Sequence, residues 1–223
     1  MIEFATMCIG KDWCYDWKDD IREFHSKHKL HLLTDCGEWF NFESYKHNKE
    51  FSYYDKLIFL LDIMTLTKKR ITYLDVDKLQ YYGGIDYDNT SCYVYNTTTT
   101  PKQLSNVFES TRKEIHSYLN IKNESNIYAQ EALISLPYTS EFENMKKDII
   151  ELQPIVERNF NNRQWKNKKL KIYSKNGIGY GEGSALTAVL LKYNSPLCIL
   201  SDGSELLIVG RSASAWNVLV SPL

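Results

Sequence analysis

The chain has 223 residues, of which 43% are hydrophobic and 25% are charged, a balance typical of a soluble globular protein. Its formal net charge of −1 gives no overall electrostatic attraction to nucleic acids or anionic membranes. No stretch holds the roughly 18 uninterrupted apolar residues that a membrane span requires, so we expect no membrane span. The length suffices for one well-buried domain, and no linker or internal repeat divides it. We therefore expect a single domain over residues 1–223.

The five cysteines are odd in number and widely scattered, at positions 8, 14, 36, 92 and 198. Without a C-x-x-C pair, this spacing argues against both a disulfide framework and a zinc site, and it favours buried thiols in a reducing compartment. Residues 1–7 lack the charged and then apolar layout of a signal peptide. A cytoplasmic location is therefore expected.

The N-terminal part of the chain alternates between strand and helix patterns. Residues 3–10 predict a buried first strand, and residues 30–34 predict a second strand that is followed by Asp35. Between them, residues 11–27 predict a helix that covers one face of a sheet, because bulky apolar side chains recur at helical spacing. These side chains are Trp13, Trp17, Ile21 and Phe24.

A second helix and a third strand follow. Residues 56–67 carry a broad apolar face at helical spacing, with Asp55 as the predicted cap. The β-branched and aromatic run that starts at Ile71 predicts a strand, and it ends in two carboxylates, Asp75 and Asp77. A chain that turns just past the strand can aim both at one point, where their oxygens would suit Mg²⁺ or Mn²⁺. The alternative is a pair of solvated turn residues.

The segment from Tyr54 to Asp77, a helix, a basic turn and a strand that ends Tyr-Leu-Asp-Val-Asp, resembles the nucleotide-sugar half of GT-A-fold glycosyltransferases. In that family an Asp-x-Asp motif holds the metal that binds the sugar-nucleotide diphosphate. The resemblance implies an α/β fold, namely a single GT-A-like (Rossmann-like) domain with a mostly parallel central sheet flanked by helices. Residues 1–80 would form the nucleotide-sugar-binding half and residues 81–223 the acceptor-side half.

The resemblance also implies which residues contact the nucleotide. In GT-A enzymes the loops after the first two strands shape the nucleoside pocket, which makes Thr6 and Asp35 candidates for contacts with uridine or ribose. A basic residue near the start of the second helix often approaches the nucleotide, and this role falls on Lys56. From the residues alone, Asp35 is equally well explained as a turn or cap residue, and Lys56 as a solvated lysine.

The diphosphate site would contain a divalent cation. The resemblance implies that Asp75 and Asp77 hold Mn²⁺ or Mg²⁺, directly or through water, and that Asp75 belongs to the donor site as well. In the family a histidine or arginine of the C-terminal tail can reach the diphosphate. This chain has no histidine after His116, so only Arg211 or a lysine could serve.

The second half of the chain holds further strand and helix patterns. Periodicity predicts one strand and two helices in its middle: residues 91–95, 102–119 and 141–159. Pro154 could break the last helix. Residues 131–137 are apolar and have the length of either a strand or a helix. Residues 197–200 and 205–209 flank a Ser-Asp-Gly-Ser turn and predict a small C-terminal hairpin.

A glycine-rich stretch, residues 176–185, precedes an apolar helix. Alternating glycines supply no core side chains, but they let a backbone turn sharply or approach a ligand. The pattern matches neither a Walker A loop nor G-x-G-x-x-G. It places Glu182 at a helix N-terminus, where the dipole favours a carboxylate that could take a proton from an incoming hydroxyl. The alternative is a turn in which Glu182 only caps the helix.

In GT-A enzymes an acidic residue late in the sheet, at the head of a helix, acts as the general base in inverting members or contacts the acceptor. The resemblance therefore implies a catalytic role for Glu182, with Gly181 and Gly183 beside it on the acceptor side. It also implies that Glu131 faces the acceptor, for which surface placement is the alternative.

These observations predict a metal-dependent, hexosyltransferase-like glycosyltransferase that moves a sugar from a nucleotide-diphosphate donor to an acceptor hydroxyl. UDP-hexose is the default donor, and the acceptor is a glycan, a protein or a modified nucleic acid base. The chain is rich in Tyr, Asn and Lys, with 16 Tyr, as AT-rich coding sequences of some bacteria and their phages are. A phage enzyme would act in the host cytoplasm.

Two alternatives stay open. The first is a catalytically inactive GT-A-like module that binds a nucleotide sugar or a carbohydrate; intact Asp75 and Asp77 argue against it, although Lys78 could replace some of the metal's charge. The second is a sugar-nucleotide nucleotidyltransferase, which normally carries a glycine-rich basic loop after the first strand. Residues 9–13 are too poor in glycine for such a loop.

Overall fold

The computed structural model describes residues 3–79, 92–96, 111–122, 127–129, 133–136, 138–161, 182–195, 197–200, 206–207 and 217–219. It shows an α/β protein with a mixed five-stranded sheet and helices against both faces. The elements in chain order are β1 (Glu3–Cys8), α1 (Lys11–Lys27), β2 (Lys29–Thr34), β3 (Tyr45–Lys46), α2 (Tyr54–Thr67), β4 (Ile71–Leu74), β5 (Cys92–Asn96), α3 (residues 111–118), β6 (Ile127–Ala129), β7 (Leu133–Leu136), α4 (Phe142–Asn161), α5 (Glu182–Lys192), β8 (Leu197–Leu200), β9 (Leu206–Leu207) and β10 (Asn217–Leu219).

The central sheet has the strand order β3-β2-β1-β4-β7. The pairs β3–β2, β2–β1 and β1–β4 are parallel, whereas β4 and β7 are antiparallel. In this register Ala5 of β1 lies between His31 of β2 and Tyr73 of β4. The carboxyl ends of these strands therefore lie at one edge of the sheet, which is where ligands bind in open α/β sheets.

One face of the sheet is covered by α1. Phe4 and Cys8 of β1 pack in the same apolar cluster as the buried side of this helix. The predicted helix is confirmed, but its buried positions are partly different. Trp13, which was expected to face the sheet, is 47% exposed, and Cys14 is buried in its place.

The opposite face is covered by α2, α4 and α5, which pack on one another. Ala5 and Met7 alternate with Phe4 and Cys8 along β1 and join the core on this side. Every residue of β1 is buried, as expected for a strand with helices on both faces. This arrangement explains why the first strand is a nearly continuous apolar run.

Two smaller sheets lie outside the central one. β5 pairs antiparallel with β6 and parallel with β8, and β9 pairs antiparallel with β10. The predicted hairpin between residues 197–200 and 205–209 is therefore wrong in its pairing, because among the described residues β8 and β9 belong to separate sheets. A small antiparallel pair is present near the C-terminus, but its strands are β9 and β10.

The helix boundaries differ from the prediction at two points. Asp55 lies in the first turn of α2 and is not its cap; its carboxylate accepts a hydrogen bond from the Ser52 amide at 3.0 Å. The helix α4 continues through Pro154, which did not break it. Pro154 and Ile150 lie on the exposed side, so the carbonyl that loses its helical partner can bind water. Within the described ranges, no helix is both long and apolar enough to cross a bilayer.

Candidate functional site

The candidate site is at the carboxyl end of β4. β4 ends at Leu74, and residues 76–79 form a 3₁₀ turn. At the start of this turn the Lys78 amide donates to the Asp75 carbonyl at 2.8 Å. The chain thus turns just past the strand, as the sequence predicts. Asp75 is the first residue beyond the strand, and 32% of its side chain is exposed at the sheet edge.

Lys56 lies between two carboxylates. It belongs to the first turn of α2 and is only 2% exposed. Its Nζ is 3.5 Å from Asp75 Oδ1 and 3.2 Å from Glu182 Oε1. A buried ammonium is tolerated when it is paired, and these two anions provide the pairing. The interpretation of Lys56 as a solvated surface lysine is therefore wrong.

Glu182 reaches this cluster from the far end of the chain. It is the first residue of α5 and is 6% exposed. The positive end of the α5 dipole and the Lys56 ammonium both attract its carboxylate. The structure thus brings together three residues that the sequence analysis had assigned to three different roles.

Two tyrosines line the cluster. The Tyr73 hydroxyl donates to Asp75 Oδ1 at 3.1 Å, and the rings of Tyr53 and Tyr73 lie 5.9 Å and 6.0 Å from Lys56 Nζ. These distances are at the outer limit of cation–π contact. Burial, followed by the charge of Asp75, raises the pKa of Tyr73 well above its usual value. The hydroxyl of Tyr73 therefore stays protonated and acts as a donor.

Tyr54 is a third tyrosine near this cluster. Burial, followed by the charge of Glu182, raises its pKa well above the usual value. Its hydroxyl is buried and has no hydrogen-bond partner among the described residues. A buried hydroxyl without a partner is unfavourable, so Tyr54 carries an energetic cost at the start of α2.

Asp77 has a different partner from Asp75. Its side chain is 20% exposed, and Lys78 Nζ lies 2.9 Å from its Oδ2. Both carboxylates of the Asp-x-Asp motif therefore carry a lysine partner, and both are partly exposed. This donor set fits a hard cation such as Mn²⁺ or Mg²⁺, which protein sites often hold through one or two carboxylates together with water and substrate phosphates.

The two predicted nucleoside contacts belong to neighbouring strands, with Thr6 inside β1 and Asp35 directly after β2. Thr6 is fully buried, and its hydroxyl donates to the Leu74 carbonyl at 2.7 Å, which ties β1 to β4. Asp35 is exposed and accepts a hydrogen bond from the Gly10 amide at 2.9 Å. The hydroxyl of Thr6 is thus used within the sheet, whereas Asp35 has surface that a ligand can reach.

The acceptor-side residues are described only in part. Gly183 lies within α5, and its carbonyl accepts a hydrogen bond from the Thr187 hydroxyl at 2.6 Å. Glu131, Gly181 and Arg211 lie outside the described residues. Their predicted roles stay predictions.

Two groupings were missed by the sequence analysis. His47 Nε2 lies 2.9 Å from Asp55 Oδ2, both side chains are buried, and Lys49 Nζ is 2.5 Å from Asp55 Oδ1. This pair fixes the first turn of α2 directly before Lys56. The second grouping consists of Cys14, Asp35 and Cys36, whose ligand atoms converge. No sequence spacing signals either one, because each joins segments that only the fold brings together.

Comparison of the chain with protein-family models and with curated proteins finds no match. The function is therefore inferred from the geometry of the residues.

Proposed function

We propose that the chain is a metal-dependent, hexosyltransferase-like glycosyltransferase that uses a nucleotide-sugar donor. The observation that carries this proposal is the convergence of Lys56, Asp75 and Glu182. One carboxylate lies at the carboxyl edge of the sheet, where a diphosphate and its cation would bind, and the other lies at a helix N-terminus. A buried lysine between them fixes their separation.

On the donor side, Asp75 and Asp77 would hold Mn²⁺ or Mg²⁺, and Asp35 would contact the nucleoside. A bound cation neutralises the charge that develops on a leaving nucleoside diphosphate. Lys56 orients Asp75 and contributes positive charge near the phosphates. Tyr73 donates to the same oxygen of Asp75 that pairs with Lys56, so that the position of Asp75 is fixed before a ligand arrives.

On the acceptor side, Glu182 would activate or orient the acceptor hydroxyl. Its carboxylate can accept a hydrogen bond from that hydroxyl, and its ion pair with Lys56 keeps the side chain in one position. The acceptor would be a glycan, a protein or a modified nucleic acid base, and UDP-hexose is the proposed donor. We place the enzyme in the cytoplasm.

The finer fold assignment belongs to the same proposal. A single GT-A-like domain over residues 1–223 is supported by the three parallel pairings among β1, β2, β3 and β4 and by the position of Asp75 at the end of β4. The helices on both faces are consistent with a Rossmann-like arrangement.

Turnover of the donor tests the proposal. UDP release from UDP-hexoses, measured with Mn²⁺ and a mixture of glycan acceptors, is expected to fall about 100-fold in Asp75→Asn, because roughly 3 kcal/mol of charge stabilisation is removed. Glu182→Gln should lower turnover while UDP binding is retained. Asp16→Asn is the matched control, since Asp16 is an exposed carboxylate on α1. Equal turnover in Asp75→Asn and in the control would contradict the proposal.

A second candidate is a binding module without turnover. It is favoured by one observation: Lys56 and Lys78 already pair with Asp75 and Asp77, and their charge could substitute for that of a metal. This candidate predicts UDP-sugar binding that is unchanged by EDTA, with no release of UDP. The glycosyltransferase predicts binding that EDTA weakens.

A further inference from the structure

A second group of metal-ligating atoms lies at the neighbouring strand ends. The sulfurs of Cys14 and Cys36 and a carboxylate oxygen of Asp35 all lie within 4.8 Å of one another. It is the one group of three or more His, Cys, Asp or Glu ligands found among the described residues. Both thiols are buried, whereas Asp35 is exposed.

The fold brings these three residues together from two elements. Asp35 and Cys36 directly follow β2, and Cys14 lies in the first turn of α1. Gly10, which joins β1 to α1, has a φ of 95° that favours glycine, and its amide donates to Asp35 Oδ1 at 2.9 Å. The turn after β1 is thereby held against the end of β2.

The separations match those of ligands around a tetrahedral cation. Cys14 Sγ is 3.9 Å and Cys36 Sγ is 3.4 Å from Asp35 Oδ1. With Zn–S and Zn–O bonds of about 2.3 Å and 2.0 Å, tetrahedral geometry places sulfur and oxygen ligands about 3.5 Å apart. The observed distances bracket this value.

The neighbouring groups support the same geometry. Thr34 Oγ1 lies 3.5 Å from Cys14 Sγ and accepts the Cys36 amide at 3.1 Å, so that it fixes both cysteines. Among the described residues, no lysine or arginine forms an ion pair with Asp35. A cation would therefore supply the positive charge that these converging groups lack.

The thiol chemistry is also suitable. A metal ligand must be a thiolate, and a helix N-terminus favours the thiolate of Cys14. Binding a cation displaces the proton of a ligating thiol.

We propose that Cys14, Asp35 and Cys36 form a binding site for Zn²⁺ or a similar thiophilic divalent cation. The three side chains supply three ligands, and water completes the tetrahedron from the exposed side of Asp35. Thiolates select Zn²⁺ over Mg²⁺ and Mn²⁺, so this site differs in chemistry from the carboxylate pair Asp75 and Asp77. The site shares Asp35 with the proposed nucleoside contact, but metal binding is measured without donor or acceptor, so its test does not depend on the proposed transferase activity.

Titration of the reduced, metal-free protein with Co²⁺ and then Zn²⁺ tests the site. We expect one equivalent of Co²⁺ to produce a thiolate-to-metal charge-transfer band, which Zn²⁺ abolishes and excess Mg²⁺ does not. Cys14→Ser and Cys36→Ser should remove the band. Asp35→Asn should weaken Zn²⁺ binding, measured against a competing chelator, by about 100-fold or more, since loss of even an outer-shell partner costs about 10–100-fold.

The controls separate a metal site from its alternatives. Glu38→Gln changes an exposed carboxylate three residues beyond Asp35 and should leave Zn²⁺ affinity unchanged. Asp35→Asn keeps the size of an exposed side chain, so its result does not depend on repacking of the core. The proposal is overturned if reduced wild-type protein gives no charge-transfer band, or if the band persists in both serine variants. If Cys14 and Cys36 form only a disulfide and bind no metal, the reduced wild-type protein gives no charge-transfer band.

Discussion

At the scale of single residues, the candidate site depends on Lys56. Its ammonium group is almost fully buried and is stabilised by Asp75 and Glu182, which lie within ion-pair distance. Removing one member of a buried ion pair leaves a charge without compensation, which costs more than the pair itself contributes. The residue therefore couples the stability of the fold to the geometry of the site.

Lys56→Met is accordingly expected to lower the free energy of unfolding by about 3 kcal/mol at neutral pH, measured by urea denaturation. Adding Glu182→Gln should restore part of this loss, because it removes the unpaired buried anion. The matched control is Lys27→Met, which breaks an exposed pair with Glu23 on α1 and should cost no more than about 0.5 kcal/mol. A similar small loss for Lys56→Met would contradict the buried pairing.

Glu3 gives a prediction for the dependence of stability on pH. Burial raises its pKa, but hydrogen bonds from Lys69, His31 and Lys29 outweigh burial and lower the pKa to about 2. A group whose pKa is lower in the folded state stabilises the protein above its unfolded pKa, here about 4.5, and this contribution is lost as the pH falls toward 2.

Glu3→Gln should therefore remove on the order of 3 kcal/mol of stability at pH 7 and flatten the decline between about pH 4.5 and pH 2. Urea denaturation at a series of pH values measures both effects. Glu50→Gln, a change at an exposed glutamate, serves as the control and should leave the profile unchanged. If stability declined between about pH 4.5 and pH 2 in Glu3→Gln as it does in the wild type, Glu3 would not be held ionised by these contacts.

At the scale of elements, the start of α2 sets the position of Lys56. The Ser52 hydroxyl accepts the Tyr54 amide at 3.2 Å, and the Asp55 carboxylate accepts the Ser52 amide at 3.0 Å. The side chains of Ser52 and Asp55 thus each accept an amide at the start of the helix, and the buried His47 holds the same Asp55 carboxylate. The helix begins where it does because these groups satisfy its first amides.

Ser52→Ala is expected to cost about 1 kcal/mol of stability, because it removes an acceptor for a helix N-terminal amide. Ser26→Ala is the control: its hydroxyl donates to the Glu23 carbonyl within α1, where the amides have helical partners, and its loss should be nearly neutral. Thermal unfolding of the two variants and the wild type measures the difference. Equal midpoints for both variants would contradict a capping role for Ser52.

The secondary-structure elements could be predicted from the sequence in part. The elements β1, α1, β2, α2 and β4 follow from local periodicity, and the turn that ends β4 follows from the carboxylates after its apolar run. The pairing of strands could not be predicted in this way, because it depends on residues far apart in the chain. The partner of β8 was therefore predicted wrongly, and β7 could not be distinguished from a helix.

The candidate site was predictable to a similar degree. Asp75 and Glu182 were singled out by chemistry and by position at element ends, and Lys56 by the family resemblance. Their mutual contact was not predicted, because no local pattern reports a distance between segments. The group of Cys14, Asp35 and Cys36 shows the same limit. Its sequence spacing resembles no metal motif, and only the parallel pairing of β1 with β2 brings α1 against the end of β2.

At the scale of the whole molecule, the sheet edge combines three features: a carboxylate pair at β4, an exposed aspartate after β2, and a buried Lys56–Glu182 pair that joins α2 to α5. The strands β1, β2 and β4 are parallel, so their carboxyl ends all lie at this edge. We therefore propose that this edge binds a nucleoside diphosphate through a divalent cation.

Thermal unfolding of the protein with a panel of nucleoside diphosphates, each with and without Mn²⁺, tests that claim most directly. At a UDP concentration about 100 times its Kd, binding adds about 2.7 kcal/mol, which corresponds to a rise of about 5–10 °C in Tm. We predict this rise with UDP and Mn²⁺ together, its loss in folded Asp75→Asn and Asp77→Asn, and its retention in Asp16→Asn. If no nucleotide raises Tm in the presence of Mn²⁺, this edge does not bind a nucleoside diphosphate through a cation.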